Sequence, residues 1–412
     1  TRYQVPGTRH HLAQCLGLIS GHCTDDGTNV FWTFFKAYKA KDLTRGKNYC
    51  AKFTQTSEAG SNAKDFTAEI EWIEMPTASE SEVKSAIEKE TFMTLFDDEE
   101  CKEDGTRPTE GFKSTNTGGK GCMCLKVKEG KEKLAGTLEK RHYAGMLGCT
   151  TEFRKWEGIT YDPVSKKMWT AISEVSKGME DGHENDLGTP NHIKLKANKC
   201  GCVMEFDVGN DMRATKARML TCGTPNSGNS VDECSVDGIA SPDNVAYMSD
   251  MKQLLIGEDT RYVWSCIFIH HLCPCLGPSL QRMNEHTATN TDVHIHFNSS
   301  HQNDLIWVWD FVDSKLTRVA STPYGSETTS PYWYGVGMYN YATFVVQHPY
   351  GESDKDKAKD KAATGKGGWI GYIGPIKRST KVVVDSAAMS TASASATLIV
   401  ASVSMVVAFM AK

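Results

Sequence analysis

The chain has 412 residues, with 46 lysines and arginines against 51 aspartates and glutamates and a formal charge of −5. That length allows two or three domains or one large β architecture. The absence of a long basic block excludes nucleic acid as the expected partner. Fourteen cysteines point to an oxidising compartment, although their spacing fixes no pairing. The Cys-x-Cys pairs at Cys122/Cys124, Cys200/Cys202 and Cys273/Cys275 lack the spacing of a zinc ribbon.

Residues 1–29 have no periodicity and are expected to be poorly ordered. The chain begins with Thr1 and carries no signal-peptide pattern, so it reads as processed or as a fragment. Val30 to Phe53 and Phe66 to Trp72 are β-rich and alternating. Residues 76–120 read as an insertion: one amphipathic helix over 78–96, with Glu80 and Glu82 at the end that favours negative charge, then a Gly/Lys/Thr loop. Later strands are expected at Met123–Lys128, Lys167–Ile172, Gly201–Val208, Gln253–Gly257, Asp304–Phe311 and Tyr341–Val346. Turns at Asp162-Pro163, Ser241-Pro242-Asp243 and Pro323-Tyr324-Gly325 separate them. Short strands with Gly/Pro punctuation give an all-β class: sandwich, barrel or propeller. The cadence of strands ending in Asp or Glu before polar turns favours a β-propeller with helical and loop insertions, over residues 30–375. There is no exact internal repeat.

Arg261 to Ser300 interrupts this pattern with three cysteines and five histidines between GEDT and HQND. Such a tract can bind metals. The reading preferred here is an unspliced segment foreign to the scaffold, which a mature transcript lacking these codons would support. The sequon Asn298-Ser299-Ser300 lies inside it.

Residues 376–412 read as a linker and an anchor signal. The apolar run Thr397–Ala411 is short for a membrane span, which needs about 20 residues. It follows a small, polar spacer with Asp385, Ser386 or Ala387 as attachment points, the pattern of a glycolipid anchor. A short membrane anchor and a buried helix are the alternatives. The expectation is an extracellular or cell-surface monomer, tethered to the membrane through this C-terminal anchor.

Polar groups gather where strands end. Two PYG turns each precede a glutamate, Glu327 and Glu352, and the apolar run Thr343–Val346 stops at Gln347 and His348. Similar clusters occur at Glu157, Glu174, Asp243-Asn244, Glu258-Asp259 and His301 to Asp304. Each alone is ordinary solvated turn chemistry. Together they form an oxygen-rich set for hard cations that clamp a phosphate, with no Ser-His-Asp order and no phosphate loop.

The runs RHYAGMLGCTTEFRKWEGITYDPVSKKMWTAISEVSKGMED, NKCGCVMEFDV, IASPDNVAYMSDMKQLLIGEDT, HQNDLIWVWDF, TPYGSETTSPYWY and QHPYGES resemble, in that order, the PhoX-type alkaline phosphatases in their cyanobacterial and algal form. The likeness spans most of residues 30–375 but not 261–300. It implies a secreted propeller with an iron and calcium cluster that hydrolyses small phosphate monoesters. Carried over by motif, the metal set is Glu157, Glu174, Asp243, Asn244, Glu258, Asp259, Asn303, Asp304, Glu327 and Glu352. Glu327 and His348 are the catalytic candidates, and Gln347 would support them. The family has further N-terminal metal motifs that residues 1–30 do not match, so the chain is expected to be the C-terminal part of a longer protein. Cys149 is not assigned as an iron ligand, and Tyr324 stands in the turn where a phosphate-binding arginine is not matched. Two other functions remain open: a non-catalytic calcium-binding surface propeller, and a calcium-dependent esterase or lactonase.

Overall fold

The computed structural model describes residues 17–18, 30–39, 41–116, 121–228, 233–260, 262–265, 296–299, 301, 303–349 and 368–378. Strands 17–18, 262–265 and 296–299, and Tyr324, are described by backbone alone. The strands are β1 (Gly17–Leu18), β2 (Thr33–Lys39), β3 (Asp42–Gln55), β4 (Thr67–Met75), β5 (Phe96–Glu100), β6 (Lys113–Asn116), β7 (Cys122–Val127), β8 (Trp156–Asp162), β9 (Lys167–Ile172) and β10 (Cys202–Val208). They continue as β11 (Ala214–Cys222), β12 (Pro242–Met248), β13 (Gln253–Glu258), β14 (Tyr262–Ser265), β15 (His296–Ser299), β16 (Asn303–Asp310), β17 (Lys315–Tyr324), β18 (Glu327–Val336), β19 (Tyr339–Gln347) and β20 (Trp369–Lys377). Four short helices accompany them: α1 (Glu80–Ala86), α2 (Phe92–Leu95), α3 (Glu132–Leu138) and α4 (Lys140–Met146). The class is all-β with helical and loop insertions, as the turn-punctuated strands imply.

Meanders are the building unit. One sheet has the order β1-β2-β3-β4-β11-β10-β9-β8, so two meanders join edge to edge through β4 and β11. A second runs β12-β13-β16-β17 and a third β18-β19-β20. Strand alternation stacks them, because successive side chains leave opposite faces of a strand. In β13, Leu254 and Ile256 pack with Trp169 and Val203 of the first sheet, whereas Leu255 packs with Ala342 of the third. In β16, Leu305 and Trp307 face the first sheet and Ile306 the third. The second sheet is therefore apolar on both faces and is buried between its neighbours, like one propeller blade between two others. Trp169 stacks on Tyr247 at 4.7 Å across the first of these interfaces. Each such large apolar side chain contributes roughly 1.5–3 kcal/mol by leaving water.

The stacking aligns strand ends. The first strands of three successive meanders, β8, β12 and β18, lie side by side with β12 in the middle. Gly158 in β8 makes the first approach possible. Its φ is +37°, and a Cβ there would sit 2.6 Å from the Asp243 carbonyl oxygen and 2.7 Å from the Asn244 Cα.

The insertion differs from the expected single helix over 78–96. Ser79 and Glu82 form the capping box that begins α1, but the helix ends at Ala86. Thr91 then caps α2, and Phe96 leaves it as the fully buried first residue of β5. Strands β5, β7 and β6 make a separate small sheet, with α3 and α4 packed beside it. Disulfides Cys50–Cys149, Cys101–Cys122, Cys200–Cys234 and Cys202–Cys222 staple the described part.

Within the segment read as foreign, Tyr262–Ser265 pairs antiparallel with His296–Ser299. Of the N-terminal stretch, Gly17–Leu18 pairs with β2. Glu352 and the apolar run 397–411 lie outside the described residues. Among the described residues no helix is long and apolar enough to cross a membrane.

Candidate metal and phosphate site

Three carboxylates occupy one structural position repeated in three meanders. Lys155, Ser241 and Gly325 have left-handed φ values of 42°, 44° and 65°. Each is followed by one residue and then by an acid in the first or second position of its meander's first strand: Glu157, Asp243 and Glu327. The left-handed residue also receives the chain returning along the next strand. Ser173 N donates to the Lys155 carbonyl at 3.0 Å and Asp259 N to the Ser241 carbonyl at 2.9 Å. In the third meander the corresponding contact is made by a side chain, His348 Nδ1 to the Gly325 carbonyl at 3.2 Å. The sequence shows no exact repeat because only backbone geometry and one acid recur.

Asp243 is the most buried of the three, at 2 % exposure. Its Oδ1 and the Oε1 of Glu157 are both buried without a hydrogen-bond partner. Burial, the adjoining Glu157 carboxyl, and the charges of Glu157, Asp259 and Glu327 push its pKa up to about 10. Burial also raises the pKa of Glu327, against the hydrogen bond and charge of His348. Glu327 accepts from Gln347 Nε2 at 3.1 Å through Oε1 and meets His348 Nε2 at 3.2 Å through Oε2. Because Nδ1 faces a carbonyl that can only accept, it carries the hydrogen, and a proton is held between Nε2 and Glu327. On the other flank the largely buried Lys155 reaches Asp259 at 3.4 Å. Unpartnered buried oxygens on adjacent acids are what a hard, oxygen-seeking cation satisfies, so Asp243 and Glu157 fit the calcium class, with Asp259 and Glu327 adding negative charge beside them.

The cluster is gathered without closing on one point. Among the described residues, the group of three or more potential ligand atoms lying within 4.8 Å of one another is Cys101, Cys122 and Cys124. Two of those sulfurs form a disulfide. Cys149 is bonded to Cys50 and offers no thiolate.

The other sequence candidates are held by protein donors. Glu258, fully buried, accepts from Ala240 N (2.8 Å), Trp307 Nε1 (2.7 Å) and Leu305 N (2.9 Å), and pairs with His301 Nδ1 at 3.0 Å. His301 Nε2 faces the Ser235 carbonyl at 3.1 Å, so both ring nitrogens are engaged. Asp304 accepts from Thr260 N at 3.0 Å, from the Thr260 hydroxyl, and from Thr328 N at 3.1 Å. Burial and the Glu258 charge nevertheless raise its pKa well above the usual range. Glu174 is bound by Arg154 Nε and Ser176 Oγ, both at 2.7 Å. Asn303 donates to Ser321 Oγ at 2.6 Å. Asn244, beside Asp243, pairs in register with Gly257. Of these, Glu258 and Asp304 brace the strands that carry the open cluster. Lys155 was not singled out from the sequence; its position two residues before Glu157 is the signal that could have found it.

The arrangement is therefore an all-β stack with an acid-lined, partly unsatisfied cluster at aligned strand ends. No known family profile matches the chain, and no curated protein matches it. Among solved structures it is similar to Pseudomonas fluorescens PhoX in complex with vanadate, a transition state analogue, at 16% identity and a TM-score of 0.46. That match covers 80% of this chain and 46% of the Pseudomonas chain.

Proposed function

We propose that the chain is a metal-dependent phosphatase that releases phosphate from small monoesters at the cell surface, tethered by a glycolipid anchor. The observation that carries the reading is the pair of buried, unpartnered carboxylate oxygens on Asp243 and Glu157 beside Asp259 and Glu327. The ordered PhoX-type motifs support it, and so do four disulfides, which suit an oxidising compartment. Asp243, Glu157, Asp259 and Glu327 would hold calcium, and the motif resemblance adds iron. Such cations supply neutralisation of the charge that develops on a phosphoryl group. The Glu327–His348 pair holds a proton at Nε2 or Oε2, where it can be given to a departing alkoxide. Lys155 keeps Asp259 turned toward the cluster.

The test is phosphate release by intact washed cells carrying the full chain, with Glu327→Gln in parallel. Surface activity is expected, and the variant should lower it by about 100-fold or more, the scale of losing one preorganised electrostatic group. Near-normal turnover in Glu327→Gln removes that residue from the site. Activity that emerges only after lysis contradicts the surface location. A calcium-stabilised binding module is the second reading, favoured by carboxylates that are gathered but do not converge.

A further inference from the structure

A second group of acids lies in the loop that follows β9. Asp186 is 8 % exposed, and neither of its carboxylate oxygens has a hydrogen-bond partner. The His183 amide lies close enough to favour the charged form but outside hydrogen-bond geometry. The Asn191 carboxamide oxygen, five residues on, is also buried and unpartnered, while its Nδ2 donates to Asp181 Oδ1 at 2.9 Å. Gly178 packs closely against the Asp186 carboxylate. A Cβ on Gly178 would come 3.5 Å from Asp186 Oδ1 and 3.0 Å from the Glu152 carbonyl oxygen. The loop also borders a cavity of about 610 Å³ lined by Asp186, His183, Gly188 and Asp104, which gives a path from solvent.

Charge sharpens the requirement. Burial raises the Asp186 pKa to about 7, and the neighbouring Asp181 and Glu180 add to it. Glu152, fully buried, is raised in turn by burial and by Asp186. The carboxylates acting most on Asp186 are Asp181 and Glu180, not those acting most on Asp243. Nearby, His192 is held neutral by burial, its pKa pushed down to about 4. Lys194 lies 3.9 Å from the exposed Asp181 and its charge also acts on Glu152. A buried carboxylate whose two oxygens have no protein partner, in one loop with an unpartnered amide oxygen and acidic neighbours, suits a cation.

We propose that the loop from Lys177 to Asn191 binds one calcium-class divalent cation, with the Asp186 carboxylate and the Asn191 amide oxygen as ligands and Asp181 supplying outer charge. Oxygen donors of mixed charge in a loop suit calcium better than the rigid octahedral demand of magnesium. The ion would fasten this loop to the small sheet, since Gly188 lies against Cys122 and beside Gly105.

Calcium bound per chain is counted by equilibrium dialysis with radiolabelled calcium at about 1 mM, a concentration typical of extracellular sites. The full-length protein and Asp186→Asn are compared, with Tm measured with and without the ion. The variant is expected to bind one calcium fewer and to lose part of the calcium-dependent rise in Tm. An unchanged count overturns the proposal; unchanged calcium with a higher Tm would mean that Asp186 is simply a buried neutral acid. Asp181 is half exposed, so Asp181→Asn gives an independent reading should Asp186→Asn fail to fold. It is expected to weaken this one calcium about tenfold, as ligand charge tunes such sites, and wild-type binding in it overturns the proposal too. Because the count is a difference from wild type, it stands or falls apart from phosphate release.

Discussion

Glu258 and Asp243 are both buried acids at the same end of one sheet, yet their surroundings differ in kind. Glu258 is enclosed by three N–H donors and an imidazole, so its charge is compensated by the protein. Asp243 keeps an unpartnered oxygen and three acidic neighbours, so its charge is left for something else to compensate. Glu258→Leu should therefore cost about 3–5 kcal/mol, because it strands three donors and a buried histidine. Urea unfolding measures this, and a loss under about 1 kcal/mol would contradict the bracing role. Composition could mark both residues as strand-end acids. It could not distinguish them, because the partners of Glu258 come from Ala240 and from residues 301–307, brought together only by folding.

The inner strands show why elements were unevenly legible. Lys167–Ile172 and Gln253–Glu258 carry mostly apolar residues buried on both faces, Met168–Trp169 and Leu254–Ile256 above all, and the sequence announces them. Trp156–Asp162 and Pro242–Met248 begin with turn-like residues, so the same chemistry that makes the site hides the strand. Helices α3 and α4 were missed for a related reason. Each contains a glycine, Gly136 or Gly145, whose missing Cβ admits Pro76 or Thr115, so packing overrides poor helix propensity. Gly158 is the element-scale test. Gly158→Ala adds a Cβ against the β12 backbone and should push β8 and β12 apart, lowering phosphate release tenfold or more, the order expected for misplacing a site by about 1 Å. Gly148→Ala, with a φ of +79° and nothing within 4 Å, carries only the backbone strain. Equal loss of activity in the two variants would contradict the role given to the β8–β12 contact.

Across the whole molecule, the three-sheet stack converts a local habit into a site. A left-handed residue, one spacer and an acid recur at the entrance of β8, β12 and β18, and face-to-face packing sets the three entrances side by side. The all-β class followed from turn-punctuated strands, whereas the order of strands in the eight-stranded sheet did not. Its β4–β11 seam joins segments some 150 residues apart, and no local pattern encodes that pairing. The most direct measurement is phosphate release from a generic monoester by the full chain supplied with calcium and iron, then again after a calcium chelator, with circular dichroism recorded in both states. The account predicts hydrolysis that the chelator abolishes while the β-rich spectrum persists. A folded protein that releases no phosphate with both metals present, or hydrolysis indifferent to the chelator, would contradict it.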